Sequence, residues 1–457
     1  MNSFLQRLLP GLFGATTERR QPAPMPAAAL PSAGAAATTT APVALGVRRP
    51  LIGAGGAIAG FEFRISEDVL RRLRRRVDHR GQAAYVSAVL ASAQLMAQSG
   101  RIGFARVPAD WLAHLASVEG VAGIWVGIEQ MAQASQDPAL LQVTAQAVQR
   151  LQVAGAKVGW DVTSVLALTP DFVLLCQRSI PMVALLAAVK TWPLALRMRP
   201  IVVTDVANAE ALELALEQGI AYACGAMATA EVAGGPKDVL PVPPEIGRIG
   251  HLLKQLVSGA ETALIVSDLK GDVGLSYRLL RRINSASFAQ LNAGASIDQA
   301  VLMLGRNELY RWLSLLLVQF AGRRKAASAL QEIALWRSRL LELLAVECQE
   351  AVPSQLFTLG LASLLGPILK ISQEDVVSTL NLPAPARQAL LEQAGLWYVY
   401  LQMAEQVEAG GLDEAGALAD QFGGSARVQA LSDEAWAWAW AAGHADREGA
   451  HCATLAT

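Results

Sequence analysis

The densest concentration of chemically able side chains is Arg71-Arg72-Leu73-Arg74-Arg75-Arg76, with His79 and Arg80 just behind it. Guanidinium groups at that density can grip the phosphates of a nucleotide, an RNA or a lipid. The run also reads as a solvated helix face with Leu70, Leu73 and Val77 turned inward, and that reading is preferred. Histidines offer less: His114 and His251 fall in helical stretches, while His444 and His451 lie near the C-terminus with no cysteine or carboxylate at ligand spacing. Cysteines at 176, 224, 348 and 452 lack both the CxxC spacing of a zinc site and the density of a disulfide scaffold, so they read as reduced and structural. Trp436, Trp438 and Trp440 look like a stacking strip for a ligand. On a helix, however, Trp436 and Trp440 share a face and Trp438 points away, which favours packing against a helical bundle.

The elements that must position any site divide the chain in two. At 457 residues it exceeds the size at which one core stops growing. From Val43 to about Glu231, short β-prone runs alternate with longer helical ones, the pattern of repeated β/α units that close into a parallel sheet or barrel. Expected strands include 123–128, 157–161, 201–204 and 220–224, and expected helices 138–154 and 209–218. Beyond Gly234-Gly235-Pro236 and the Pro241 to Pro244 linker, strand signals almost vanish and an all-helical region follows. Ser296 and Gln299 fit a capping box whose helix stops at Gly305, and Leu309, Trp312, Leu313, Leu316 and Leu317 stripe the next. The expected division is therefore a disordered tail over 1–42, a barrel domain over 43–235 and a helical domain over 236–457. The tail is rich in Ala, Pro, Thr and Ser and cannot offset its ordering entropy, although Phe4, Leu5, Leu8, Leu9, Leu12 and Phe13 could form a small amphipathic face. A linker with few contacts across it implies separable halves.

Lys and Arg number 38 against 39 Asp and Glu, a formal charge of −1, so no global field draws the chain to nucleic acid or an anionic membrane. The uncharged stretch Ala351 to Leu369 could span a bilayer on length alone, yet it holds Pro353, Ser354, Gln355, Gly360 and Pro367 and reads as a buried helix. No apolar signal segment develops after Leu8 and Leu9, because Pro10 and Gly11 follow at once, and a cytoplasmic location is expected.

The helical half contains Leu279-Leu280-Arg281-Arg282-Ile283-Asn284-Ser285-Ala286, then Ser296-Ile297-Asp298-Gln299-Ala300-Val301 and Leu304-Gly305. It resembles the HDOD family over about 241–320, with Asn284, Ser285, Leu304 and Gly305 as its motif residues. HDOD domains are similar in fold to HD phosphohydrolases but lack their metal-binding His-Asp pair, which would here be Ser363 and Leu364. The first half, through Arg49-Pro50-Leu51-Ile52, Gly60-Phe61-Glu62-Phe63-Arg64 and the segment from Ile201 to Gly225, resembles an EAL domain, the barrel that hydrolyses cyclic di-GMP. The combination resembles bacterial EAL–HDOD signalling proteins and implies a degenerate EAL-type α/β barrel followed by an all-α HDOD bundle.

The resemblance also implies a damaged site. Glu62 stands at the motif glutamate, but the family's metal-ligand asparagine falls near Ala105, and Val126 competes with Glu129 for the next ligand position. Paired aspartates would fall at Trp160-Asp161-Val162, leaving at most one; the catalytic lysine and aspartate become Leu174 and Cys176. Two glutamates become Thr204 and Ala207, the final glutamine becomes Cys224, and the glutamine of the opening motif becomes Arg49. Hard divalent cations need several oxygen ligands, so no metal, cofactor or catalysis is expected, with Glu62 as a remnant. The implied function is a non-enzymatic adaptor that binds a regulatory protein. A cyclic di-GMP receptor without hydrolysis is the alternative, and an active phosphodiesterase ranks last. The partner's identity and the oligomeric state are not legible.

Overall fold

The computed structural model describes residues 47–454 apart from 77, 113–114, 116–119, 130–136, 162–167, 178–179, 226–243, 284–295, 320–324, 381, 411 and 413–414. The tail expected over 1–42, the boundary at 235/236, Asn284 and Ser285 lie outside the described residues.

Eight strands close into one barrel: β1 (Val47–Gly53), β2 (Ile58–Arg64), β3 (Ile102–Pro108), β4 (Trp125–Glu129), β5 (Lys157–Trp160), β6 (Phe172–Cys176), β7 (Ile201–Val206) and β8 (Tyr222–Gly225). β1 runs antiparallel to both its neighbours, β2 and β8, while every other adjacent pair is parallel. Between them lie α1 (Glu67–Arg76), α2 (His79–Gln98), α3 (Ala109–Leu112), α4 (Pro138–Val153), α5 (Met182–Lys190), α6 (Leu194–Arg197) and α7 (Ala209–Glu217). Local chemistry starts several of these helices: Asp78, Asp137 and Asn208 each accept backbone N–H groups at an N-cap. On α4 the buried positions Thr144, Ala147, Val148 and Leu151 have the spacing of one helix face. On α1, Val69, Leu70 and Leu73 are buried while Arg71, Arg72, Arg74, Arg75 and Arg76 are exposed, the solvated-face arrangement.

Alternation along each strand builds two cores. Leu51, Phe104, Trp125, Phe172, Leu174, Val202 and Cys224 fill the inside of the barrel. Phe63, Ala105, Val107, Val126, Ile128, Val173 and Val203 face outward and pack in the main core. The barrel is thus a packed core rather than a pore. Arg64, Glu129 and Cys176 are the last residues of β2, β4 and β6, and Arg106 and Asp205 sit near the ends of β3 and β7. The carboxyl end of the barrel consequently collects the charged side chains.

The second half is all helix: α8 (Pro244–Val257), α9 (Thr262–Lys270), α10 (Val273–Ile283), α11 (Ile297–Gln319), α12 (Ala327–Glu347), α13 (Pro353–Leu369), α14 (Gln373–Thr379), α15 (Ala384–Arg387) running into a π-turn, α16 (Tyr398–Ala409), α17 (Gly416–Asp420) and α18 (Ser425–Thr454). α12 is buried on all sides for most of its length and forms the axis of the bundle. The expected capping box is present: Ser296 N–H donates to Gln299 Oε1 at 3.0 Å and Gln299 N–H to Ser296 Oγ at 3.3 Å. α13 is the buried helix expected over the long uncharged stretch, and among the described residues no helix is long and apolar enough to cross a membrane.

Gly305 interrupts α11 with φ 72° and ψ 166°, a region only glycine occupies readily, and this is the physical form of the expected helix stop. Leu304 just before it is buried in the core. A Cβ at 305 would meet no atom within 4 Å, so any cost of substitution is conformational. Gly305→Ala should therefore lower stability by about 1–3 kcal/mol, measured by urea unfolding. A neutral result would show that the kink relaxes without penalty.

The halves are not joined by a bare linker. Arg48 pairs with Asp433 at 2.5 Å, and Arg101 lies 3.4 Å from Glu332 with its guanidinium 3.5 Å from the Trp440 ring centre. Phe61 packs edge-on against Trp436, which stacks on Trp336. The β1–β2 turn also abuts the bundle, with Ala329 N–H donating to Gly56 O at 3.0 Å. Gly56 has φ 78°, and a Cβ there would fall 1.5 Å from Lys325 O. The expectation of few contacts between the halves is thereby corrected: these contacts join residues far apart in sequence, which the linker's composition does not report.

Candidate functional site

The charged end of the barrel is organised around Arg106. Its side chain is 1% exposed; Nη1 donates to Glu62 Oε1 at 2.7 Å and to Asp205 Oδ1 at 3.3 Å, and Nη2 donates to Asp205 Oδ2 at 3.1 Å and to Glu129. Two more arginines reach the same aspartate, Arg49 Nη1 at 2.8 Å and Arg64 Nη1 at 3.4 Å, while Cys176 Sγ–H donates to Asp205 Oδ2 at 3.1 Å. Among the described residues, three guanidinium groups thus face three carboxylates.

Titration follows from this geometry. Burial alone would weaken the Arg106 charge, but Glu129, Glu62 and Asp205 outweigh it and hold the guanidinium protonated well above its ordinary value. Burial likewise pushes Asp205 up, and Arg106, Arg64 and Arg49 overcome it, holding that carboxyl below the usual carboxylate range. Burial, with Glu62 adding to it, pushes the Cys224 thiol far up, so it remains an uncharged wall residue.

Several expected positions shift in this light. Glu62 faces the site, as the motif requires. Ala105 does not: it lies on the outer wall, and the inward positions of β3 are Phe104 and Arg106. Val126 is also on the outer wall, leaving Glu129 as the carboxylate of β4. Leu174 and Cys176 both face inward, as their positions implied. Thr204 is buried with its hydroxyl donating to Leu175 O at 3.1 Å, and Ala207 supplies a backbone N–H to Gln177. Trp160 is buried in the outer core, and Asp161 follows the end of β5.

Asp205 is the residue that sequence reasoning missed. β7 pairs with β8 at Val203 with Ala223 and again at Val206 with Gly225, so one extra residue is accommodated, and Asp205 adopts φ 54°. That bulge turns inward a side chain that strict alternation sends out. Among the described residues the barrel end thus gathers Glu62, Glu129 and Asp205, the last at a position to which no ligand was assigned.

These donors do not fit a metal. Glu62, Glu129 and Asp205 converge on a guanidinium bonded to all three, and a cation among them would have to displace that charge. Among the described residues, no group of three or more His, Cys, Asp or Glu has metal-binding geometry. In the helical half, Ser363 Oγ accepts from Arg337 Nη1 at 3.1 Å, Arg337 Nη2 pairs with Glu408, and Leu364 is buried. Here too a buried arginine stands where the resemblance places a metal pair. A cavity of about 400 Å³ beside Phe357 contains Arg311, but that side chain is bound to Glu342 and Glu308.

A closed β/α barrel with an ion cluster at its carboxyl end, followed by a helical bundle, defines a two-module chain. Residues 241–393 match the HDOD domain family, and this segment follows the closed β/α barrel. It is 30% identical over 156 residues to the uncharacterized protein YuxH of Bacillus subtilis, covering 34% of this chain and 38% of that one. It is 30% identical over 138 residues to the cyclic di-GMP phosphodiesterase CdgJ of Vibrio cholerae, covering 30% and 32%. The matched stretches thus span 38% of the first relative and 32% of the second. An EAL domain protein from Listeria monocytogenes matches at TM-score 0.29 and 16% identity, covering 39% of this chain and 84% of that one.

Proposed function

We propose that the chain is a non-enzymatic adaptor of cyclic di-GMP signalling in the cytoplasm, in which an inactive EAL-like barrel and an HDOD domain present surfaces to a regulatory protein. The observation that carries this reading is Arg106, which neutralises the carboxylates a phosphodiesterase would use to hold metal. Leu174 supplies no acid-base group where the family has a lysine, and Thr204 and Ala207 supply no metal ligand. Cyclic di-GMP binding without hydrolysis ranks second, because Arg49, Arg64 and Arg106 already hold Asp205 and a phosphate would have to compete with it.

Purified full-length protein should not hydrolyse cyclic di-GMP with Mg²⁺ or Mn²⁺, and calorimetry should find no tight Mn²⁺ site. Turnover abolished by Glu62→Ala would overturn the proposal. Micromolar binding without turnover would promote the receptor reading, and copurified protein partners would support the adaptor.

A further inference from the structure

We propose that Arg49 couples the charged end of the barrel to the helical half. The side chain is 7% exposed and divides its hydrogen bonds between the two modules: Nη1 to Asp205 Oδ1 at 2.8 Å and Nη2 to the carbonyl of Ala409 at 2.5 Å. Ala409 ends α16, and the last carbonyls of a helix have no partner within it. A cation also suits the negative end of the helix dipole. Gly410, in a left-handed conformation at φ 80°, closes α16 by donating to Gln406 O and Val407 O, which leaves the Ala409 carbonyl to Arg49.

The line of contacts continues on both sides. Asp205 is shared with Arg106, which holds Glu62 and Glu129. Glu408, the neighbour of Ala409, is bound by Arg337, which donates to Ser363 on α13. The clusters of the two modules are therefore joined through Arg49 and the final turn of α16.

Asp205 is the residue at which the charged cluster and the β7 bulge meet. Its φ of 54° at a bulge is strained for a residue other than glycine, and three arginines hold it there. When its charge is lost, the bulge has less to pin it, and Arg49 loses the partner that aims it at α16. A charge change at the barrel end is then felt as loosening of α16. This inference uses the cluster's geometry and not the loss of hydrolysis, so turnover of cyclic di-GMP would leave it standing.

Amide hydrogen exchange on the full-length protein tests it. Asp205→Asn should speed exchange across Met403 to Gly410 by about tenfold, a coupling of ordinary size, while α9 keeps its wild-type protection. Arg49→Gln should do the same, and the double variant should exchange no faster than Arg49→Gln alone. Should Asp205→Asn fold poorly, Glu129→Gln perturbs the same cluster from a more exposed position and should speed α16 to a smaller degree. Unchanged exchange in α16 in folded Asp205→Asn or Glu129→Gln protein, or additive effects in the double variant, would overturn the coupling.

Discussion

Replacing Arg106 with Met is expected to destabilise the protein by about 3–5 kcal/mol, because it removes one partner from a buried ion cluster and leaves the others charged. Glu62 is fully buried and would lose its hydrogen-bonded cation, keeping only the longer-range attraction of Arg64. Methionine has similar length and fills much of the space, which limits any cavity contribution. The loss should depend on pH. The folded-state pKa of Asp205 is depressed, so its contribution is present above its unfolded value near ~3.9 and disappears as pH falls below it. The gap between wild type and Arg106→Met should thus be widest near neutrality and narrow as acid protonates the carboxylates. Urea unfolding at neutral pH and at about pH 3, below the unfolded carboxylate value, measures both quantities. An equal penalty at each pH would sink the electrostatic account and assign the effect to packing. Adding Glu62→Gln to Arg106→Met should recover part of the loss, since the second change removes the unpaired charge.

The barrel was legible in outline because its strands are short apolar runs between capped helices, and Asn208 before Ala209 is such a cap. The helical half was legible in finer detail: the capping box and the Gly305 break depend on residue types at fixed spacing, and both are present. The site was less legible because an inward position differs from its neighbour by one residue. Choosing Ala105 over Arg106 in Phe104-Ala105-Arg106 exchanges a wall residue for the central cation, and Phe104 two residues before Arg106 was the available clue to the inward phase. Asp205 escaped for a different reason. A bulge is set by how β7 meets β8, and nothing within Val203-Thr204-Asp205-Val206 announces it. Ion pairing was the larger omission: a residue-by-residue search for missing ligands counts losses, but it does not reveal that the remaining carboxylates share one arginine.

Trp436→Ala should cost about 3–5 kcal/mol in the full chain, the range for removing a large buried aromatic, and should weaken the junction between the halves. The Trp436 ring is stacked on Trp336 with centroids 5.0 Å apart and planes 14° from parallel. Its other contact is an edge-on one to Phe61 of β2, also at 5.0 Å, and the Arg48 guanidinium lies 4.1 Å from the centre of that ring. One indole therefore joins the axis helix of the bundle to a barrel strand. Trp440→Ala removes a ring that is 39% exposed and should cost much less, although both residues lie on one face of α18. Because the Phe61–Trp436–Trp336 stack buries apolar surface at the junction, wild-type protein should unfold in one transition, whereas Trp436→Ala should separate the melting of barrel and bundle. A chain starting near Asp238 would expose the side of Trp436 that Phe61 covers, and should be less soluble than its Pro-rich linker alone implies. If Trp436→Ala costs under ~1 kcal/mol and leaves a single transition, the aromatic stack is not what holds the halves together, and that role passes to the Arg48 and Arg49 contacts of β1.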